Sequence, residues 1–345
     1  MTEALRAFAR RMPKAELHVH LEGSIQPDVL LRLARRNGQP IGAMSEAELR
    51  AYYRFRDFGH FLEVYIAILK CLRAPDDYRL IAYEFGRGLA AQNCRYAEVT
   101  FTIISNVKYS GLPWAVILDG LNAGRAQAGA EFGVTWGWIF DIVRDRPDLQ
   151  DEVVEISLAA RDRGCVALGL AGDECLGTAA TFQASFERAT AAGLPGIPHS
   201  GELCGPDKIW EVVRLLNPRR LQHGIRAVED PELVAYLRDN AIACDVCPTS
   251  NVRLGVYRDY ASHPLRQLWD AGLLVTVNTD DPPLFNTSLN DEYVILVDHF
   301  GFTADELERV SLNALRASLL PENEKARLSA EFRLEFARLR LELGL

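Results

Sequence analysis

The sequence predicts an α/β chain wound into a closed (β/α)8 barrel, the TIM-barrel architecture, with a helical insertion after the first strand. Three observations carry that prediction. Eight short β-rich runs recur along the 345 residues. Helical patterns separate them. Histidines and carboxylates gather where the runs end.

The runs are 15–20, 96–102, 135–142, 166–171, 196–200, 220–223, 242–247 and 273–279. Several are nearly all apolar, as strands covered on both faces must be. Between them, Ile209, Val212, Val213 and Leu216 recur at helical spacing behind Pro206, which suits a first helical position. Asp230-Pro231 opens another helix, with Leu233 and Leu237 one turn apart. Thr303 and Glu306 form a capping-box pair ahead of Leu307, Val310, Ala314 and Ala317. Such alternation closes a parallel barrel more naturally than it builds an open sheet. The first and second runs are far apart, with helical stretches such as 58–72 between them. Residues 24–95 are therefore read as a helical lid over the C-terminal mouth, and 1–345 as one catalytic domain. Within that insertion, Tyr52, Tyr53, Phe55, Phe58, Phe61 and Tyr65 form either a core stripe or a pocket wall. Arg54 and Arg56 are either solvated charges or readers of an anionic substituent.

Composition narrows the function. Hydrophobic residues make up 48%, which supports a large core and excludes a disordered chain. The net charge of −9, without a Lys/Arg block, leaves no footprint for nucleic acid or an anionic membrane. A small uncharged or cationic substrate fits better. Seven scattered cysteines read as reduced thiols of a cytoplasmic protein. No apolar run reaches the ~18 residues of a membrane helix, and residues 1–14 lack the apolar stretch of a secretory signal. Nothing in the sequence sets an oligomeric state.

The chemistry collects at the C-terminal ends of the strands, the active-site face of such a barrel. The first strand ends in His18-Val19-His20. Period-2 alternation sends both imidazoles to one side, roughly 6.5 Å apart at the backbone, where they can grip one metal ion. The fifth strand ends in His199-Ser200-Gly201-Glu202, the sixth in His223-Gly224 and the eighth in Asn278-Thr279-Asp280-Asp281-Pro282. Four of the seven histidines lie at these ends; His60, His263 and His299 read as structural residues. Burying such a cluster is costly unless it holds a metal or moves protons. On these residues alone the reading reaches metal-assisted hydrolysis.

The ordered set resembles the adenosine deaminase family. Pro13–Gly23 (PKAELHVHLEG) looks like its opening motif, and Leu170-Ala171-Gly172-Asp173-Glu174 looks like its substrate loop. The three strand ends above complete the series, from about residue 12 to about residue 320. The resemblance implies one Zn2+ per chain, held by His18, His20, His199 and Asp280, with a position left for water. It implies that His223 orients that water and takes its proton, and that Glu202 protonates N1 of a purine nucleoside. Asp281 would meet N7 and the Gly172 backbone N–H would meet N3. Glu22 stands where aspartate is usual, at the ribose 5′ end. That departure points to adenosine carrying a modified 5′ position, with adenosine also accepted. 6-Aminodeoxyfutalosine and adenine are the alternative substrates.

Rival readings are weaker. Cys244 and Cys247 form a CxxC, but residues three apart on a strand face opposite ways, and no HxE accompanies them. Cys165 and Cys175 read as packing residues. Gly169 and Gly172 belong to no phosphate-loop motif. A barrel phosphoesterase would need further metals, with Glu202 and Asp281 recruited as ligands. A non-catalytic purine-binding protein would lack at least one of these side chains.

Overall fold

The computed structural model describes every residue except Met1, Met44, Arg56 and Asp57. Its eight strands are β1 Lys14–His20, β2 Cys94–Phe101, β3 Thr135–Val143, β4 Cys165–Ala171, β5 Gly196–Ser200, β6 Arg220–His223, β7 Ala243–Val246 and β8 Val275–Val277. They lie in sequence order, each parallel to the next. Every expected strand is present.

The ring closes beyond the end of β8. The His20 N–H donates to Asp280 O at 2.8 Å, and the Asp280 N–H donates to His18 O at 3.1 Å. Asn278 Oδ1 accepts from the N–H groups of Leu17 and His18 at 2.8 and 3.2 Å. An amide side chain thus does the pairing that a longer eighth strand would have done. Helices surround the sheet. Pro206–Leu215, Pro231–Asp239 and Ala304–Ala317 form where the apolar periodicity placed them.

The insertion after β1 contains Pro27–Arg36, Glu46–Tyr52, Phe58–Lys70 and Pro75–Ala91, all helical. Arg54 is exposed, while Arg56 lies outside the described residues. Among the described residues, no helix is long and apolar enough to cross a membrane.

The barrel interior is not wholly apolar. Fully buried Arg220 pairs with Glu98 at 2.6 Å and with Asp245 at 2.5 Å. Thr276 Oγ1–H donates to the other Asp245 oxygen at 2.7 Å. Paired and hydrogen-bonded, these charges avoid the cost of lone burial. They form the floor beneath the strand ends.

Candidate active site

Four side chains, from β1, β5 and the turn after β8, meet at one point above that floor. His18, His20, His199 and Asp280 each offer a ligand atom, all within 4.8 Å of one another. Asp280 Oδ1 lies 3.4 Å from His18 Nε2 and 3.3 Å from His20 Nε2. His20 and His199 bring their Nε2 atoms to 3.2 Å. Asp280, in the turn after β8, has φ +65, and His223, at the end of β6, has φ +71, a left-handed conformation that non-glycine residues adopt mainly under tertiary constraint.

The donor set fits a cation. His18 Nδ1 donates to Asp245 O at 3.1 Å, and His199 Nδ1 donates to Leu170 O at 3.1 Å. Each ring therefore carries its proton on Nδ1 and aims an Nε2 lone pair at the centre. His18 Nε2 is buried and has no hydrogen-bond partner. Burial, and then neighbouring imidazoles, hold His199 well below the usual histidine range; burial chiefly lowers His20 to about 4. Burial alone would raise Asp280, but His18, His223 and His20 outweigh it and keep the carboxylate ionised. Ser250 Oγ–H orients that carboxylate through Oδ2 at 2.6 Å. Lone pairs converging without a shared proton repel unless a metal sits between them. The other His/Cys/Asp/Glu groupings among the described residues share members with this one, so they describe a single centre.

Glu202 and His223 face the same point. Glu202 Oε2 lies 3.5 Å from His223 Nε2, and Glu202 Oε1 has no partner. Burial, and then the nearby carboxylates of Asp280 and Glu174, push the Glu202 carboxyl well above its ordinary range. Asp281 is raised for the same two reasons, burial and then Asp280, and its Oδ1 is unpartnered. Gly23 makes room for Asp281, since a Cβ there would stand 1.6 Å from Asp281 Oδ1.

A cavity of about 240 Å³ opens onto this centre. His20, Gly172, His199, Glu202, His223, Asp280 and Asp281 line its inner end. Gly172 has φ +92, so the chain turns there as only glycine easily can. The helix Phe58–Lys70 forms one wall with Phe58, Phe61, Leu62 and Tyr65; Lys108 and Arg146 line it too. The aromatic stripe is thus divided. Phe58, Phe61 and Tyr65 form the wall, while Phe55 packs behind on Phe61 and Phe285.

Glu22 does not line the cavity. It is fully buried behind Tyr65 and Thr102, and its Oε1 accepts from the Thr102 N–H at 3.0 Å and from Asn106 Nδ2 at 2.8 Å. Burial raises it to about 7. The carboxylate is thus folded aside, out of the cavity in which the resemblance set it at the ribose 5′ end.

Two cysteine expectations change. Cys175 and Cys204, 29 residues apart, form a disulfide rather than free thiols. It ties the loop after β4 to the loop after β5, which carries Glu202. Buried Glu174 joins the same loops, accepting from the N–H groups of Gly201 and Cys204 at 2.6 Å each, and from that of Leu203. The other five cysteines are free and buried. Cys247 Sγ touches His18 Nδ1 at 3.4 Å, while Cys244 faces Gly224, so the CxxC thiols do not converge.

Sequence reasoning missed Ser250, Asn251 and Asp141. Ser250 and Asn251 belong to the short helix Pro248–Arg253 at the rim. Their only signal was proximity to the end of β7. Asp141, on β3, is fully buried with both oxygens unpartnered.

The comparisons with known proteins agree with this geometry. A family model described as adenosine deaminase matches residues 13–333. An aminodeoxyfutalosine deaminase of Streptomyces avermitilis is 38% identical over 331 residues, covering 95% of this chain and 92% of the relative. An adenine deaminase of Cupriavidus necator is 34% identical over 330 residues, covering 95% and 93%. Among solved structures, adenine deaminase from Arthrobacter aurescens superposes with TM-score 0.89 at 32% identity, covering 93% of this chain and 98% of that one. An amidohydrolase from Burkholderia ambifaria with bound zinc gives TM-score 0.91 at 32% identity, covering 100% and 96%.

Proposed function

The chain belongs to the adenosine deaminase family, and on that premise we propose that it replaces the 6-amino group of a 5′-substituted adenosine with oxygen from water. It is a metal-dependent aminohydrolase acting on purine C–N bonds. The observation that carries the substrate reading is one cavity joining the four-donor centre, the two buried carboxyls of Glu202 and Asp281, and a long apolar wall.

We assign one zinc per chain to His18, His20, His199 and Asp280. When bound, it supplies a water made acidic enough to react near neutral pH. His223 orients the attacking oxygen. The purine nitrogens N1, N3 and N7 are acceptors, so each needs a donor. Glu202 and Asp281, both raised by burial, keep the protons that N1 and N7 call for. The Gly172 backbone N–H serves N3. The water oxygen adds to C6 as Glu202 gives its proton to N1, so C6 becomes tetrahedral; the C6–N bond then breaks, and the amino group leaves as ammonia with the proton that the water gave up. We read the chain as one catalytic unit, with 24–95 as its lid.

The 5′ preference follows from the cavity. Free adenine would leave the wall of Phe58, Phe61 and Leu62 unfilled. Glu22 is tucked behind Tyr65, outside the cavity lining, so its carboxylate is not presented to a 5′-hydroxyl. Aminodeoxyfutalosine, named in the Streptomyces relative, fits this description. Ammonia release is to be compared across adenine, adenosine, 5′-methylthioadenosine and 6-aminodeoxyfutalosine. The 5′-modified nucleosides should lead, and Glu22→Asp should move the preference toward adenosine. A preference for adenosine above about tenfold (roughly 1.4 kcal/mol), or activity on adenine alone, contradicts the 5′ reading. Release of phosphate from phosphoesters would favour the phosphoesterase alternative.

A further inference from the structure

A hydrogen-bond chain outside the metal cluster fixes how His223 meets the reacting centre. It begins at His263, which is buried. The Leu265 N–H donates to His263 Nδ1 at 3.1 Å. That nitrogen holds a lone pair, so the neutral ring carries its proton on Nε2. Nε2 lies 3.1 Å from Asn251 Oδ1 and donates to it. The amide is thereby oriented, and its NH2 end faces His223 Nδ1 at 3.4 Å. An NH2 group can only donate there, so His223 Nδ1 accepts. The proton of His223 then stands on Nε2, which faces Glu202 Oε2 at 3.5 Å and Asp280 Oδ2 at 3.9 Å. Turning the amide over would set two donors against each other at His263, and a protonated His223 would set two against each other at Nδ1.

We propose that Asn251 and His263 are positioning residues that lock resting His223 as an Nε2–H donor toward the attacking oxygen. The family resemblance gave His223 the role of taking the water's proton; the direction of these bonds makes it a giver of a hydrogen bond. What that donor serves rests on the deaminase reading, but its tautomer can be read without any turnover.

Selective 15N-histidine labelling of the zinc-loaded protein, with long-range 1H–15N correlation, reports the tautomer of each ring. His223 should show a protonated-type Nε2 and a bare Nδ1. A proton on Nδ1, or on both nitrogens, overturns the proposal. Asn251→Asp keeps an acceptor for His263 but cannot donate to His223. It should move the His223 proton to Nδ1 and lower kcat by about 100-fold or more, with KM within about threefold. His263→Gln, whose amide nitrogen can stand at the Nε2 position, should stay within about tenfold of the wild-type kcat, whereas His263→Leu should fall as far as Asn251→Asp. Equal losses in the two His263 variants, or an unchanged tautomer in Asn251→Asp, overturn the proposal. If no purine is deaminated at all, the wild-type tautomer still decides it, and only the functional reading fails.

Discussion

Replacing Glu202 by glutamine removes a transferable proton while keeping the shape of the side chain. Glu202 is 8% exposed, and its Oε1 has no hydrogen-bond partner. A glutamine NH2 can still donate to N1 in the ground state, so KM should stay within about threefold. It cannot give up the proton as C6 becomes tetrahedral. General acid catalysis contributes about 10²–10⁴ in rate, which is about 2.7–5.4 kcal/mol of barrier. The expected value lies near the upper end, because the carboxyl is buried, Asp280 is held ionised, and Asp281 is assigned to N7 rather than N1. Glu202 is not among the four side chains to which the metal is assigned, so zinc content should be unchanged. Ammonia release under saturating substrate, with metal content measured on the same sample, makes the test. A variant with full zinc and more than about a tenth of the wild-type kcat, a loss under roughly 1.4 kcal/mol, would refute the role of Glu202 as proton donor.

Three further outcomes follow from groups around the site. Glu174→Gln leaves one acceptor oxygen for three backbone N–H groups; it should cost about 1.5–3 kcal/mol in urea unfolding and lower kcat by about tenfold or more by loosening the Glu202 loop, and no change in either speaks against the clasp. Serine at both Cys175 and Cys204 opens a 29-residue link, so the variant should lose at most about 3.5 kcal/mol of stability, and added dithiol should then have no further effect; equal unfolding midpoints for variant and oxidised wild type would deny the bridge its role. Glu292 is fully buried and raised to about 7 from 4.5, chiefly by burial. The folded state therefore holds its proton more tightly than the unfolded chain. This stability is present below about pH 4.5 and lost as pH rises to about 7. Glu292→Gln should gain on wild type between pH 5 and pH 8, by at most about 3 kcal/mol, and a difference that stays flat across that range contradicts the sign.

The sequence was most legible where periodicity and chemistry coincide. Alternation in β1 put His18 and His20 on one side, and the rim of parallel strands collected His199, Glu202, His223 and Asp280. Strand ends were harder to read. The run 273–279 shortens to Val275–Val277 because Asn278 closes onto β1 through its side chain and Asp280 turns left-handed. Near-continuous apolar runs concealed the buried ion pairs of Arg220 with Glu98 and Asp245, since two charges inside a barrel have no periodic signature. The Cys175–Cys204 bridge joins two loops whose approach is set by neither loop's sequence. His263 read as structural because its position in the chain says nothing of Asn251, the amide that links it to His223.

The central claim is that one metal centre brings water to C6 of a purine. Reaction in 18O-labelled water tests it most directly, with product mass and ammonia measured together before and after chelation. Zinc-loaded enzyme should place one 18O in each purine product and release one ammonia. Chelated enzyme should form neither, and added zinc should restore both. Product without the label, or turnover that survives complete removal of metal, would contradict the claim.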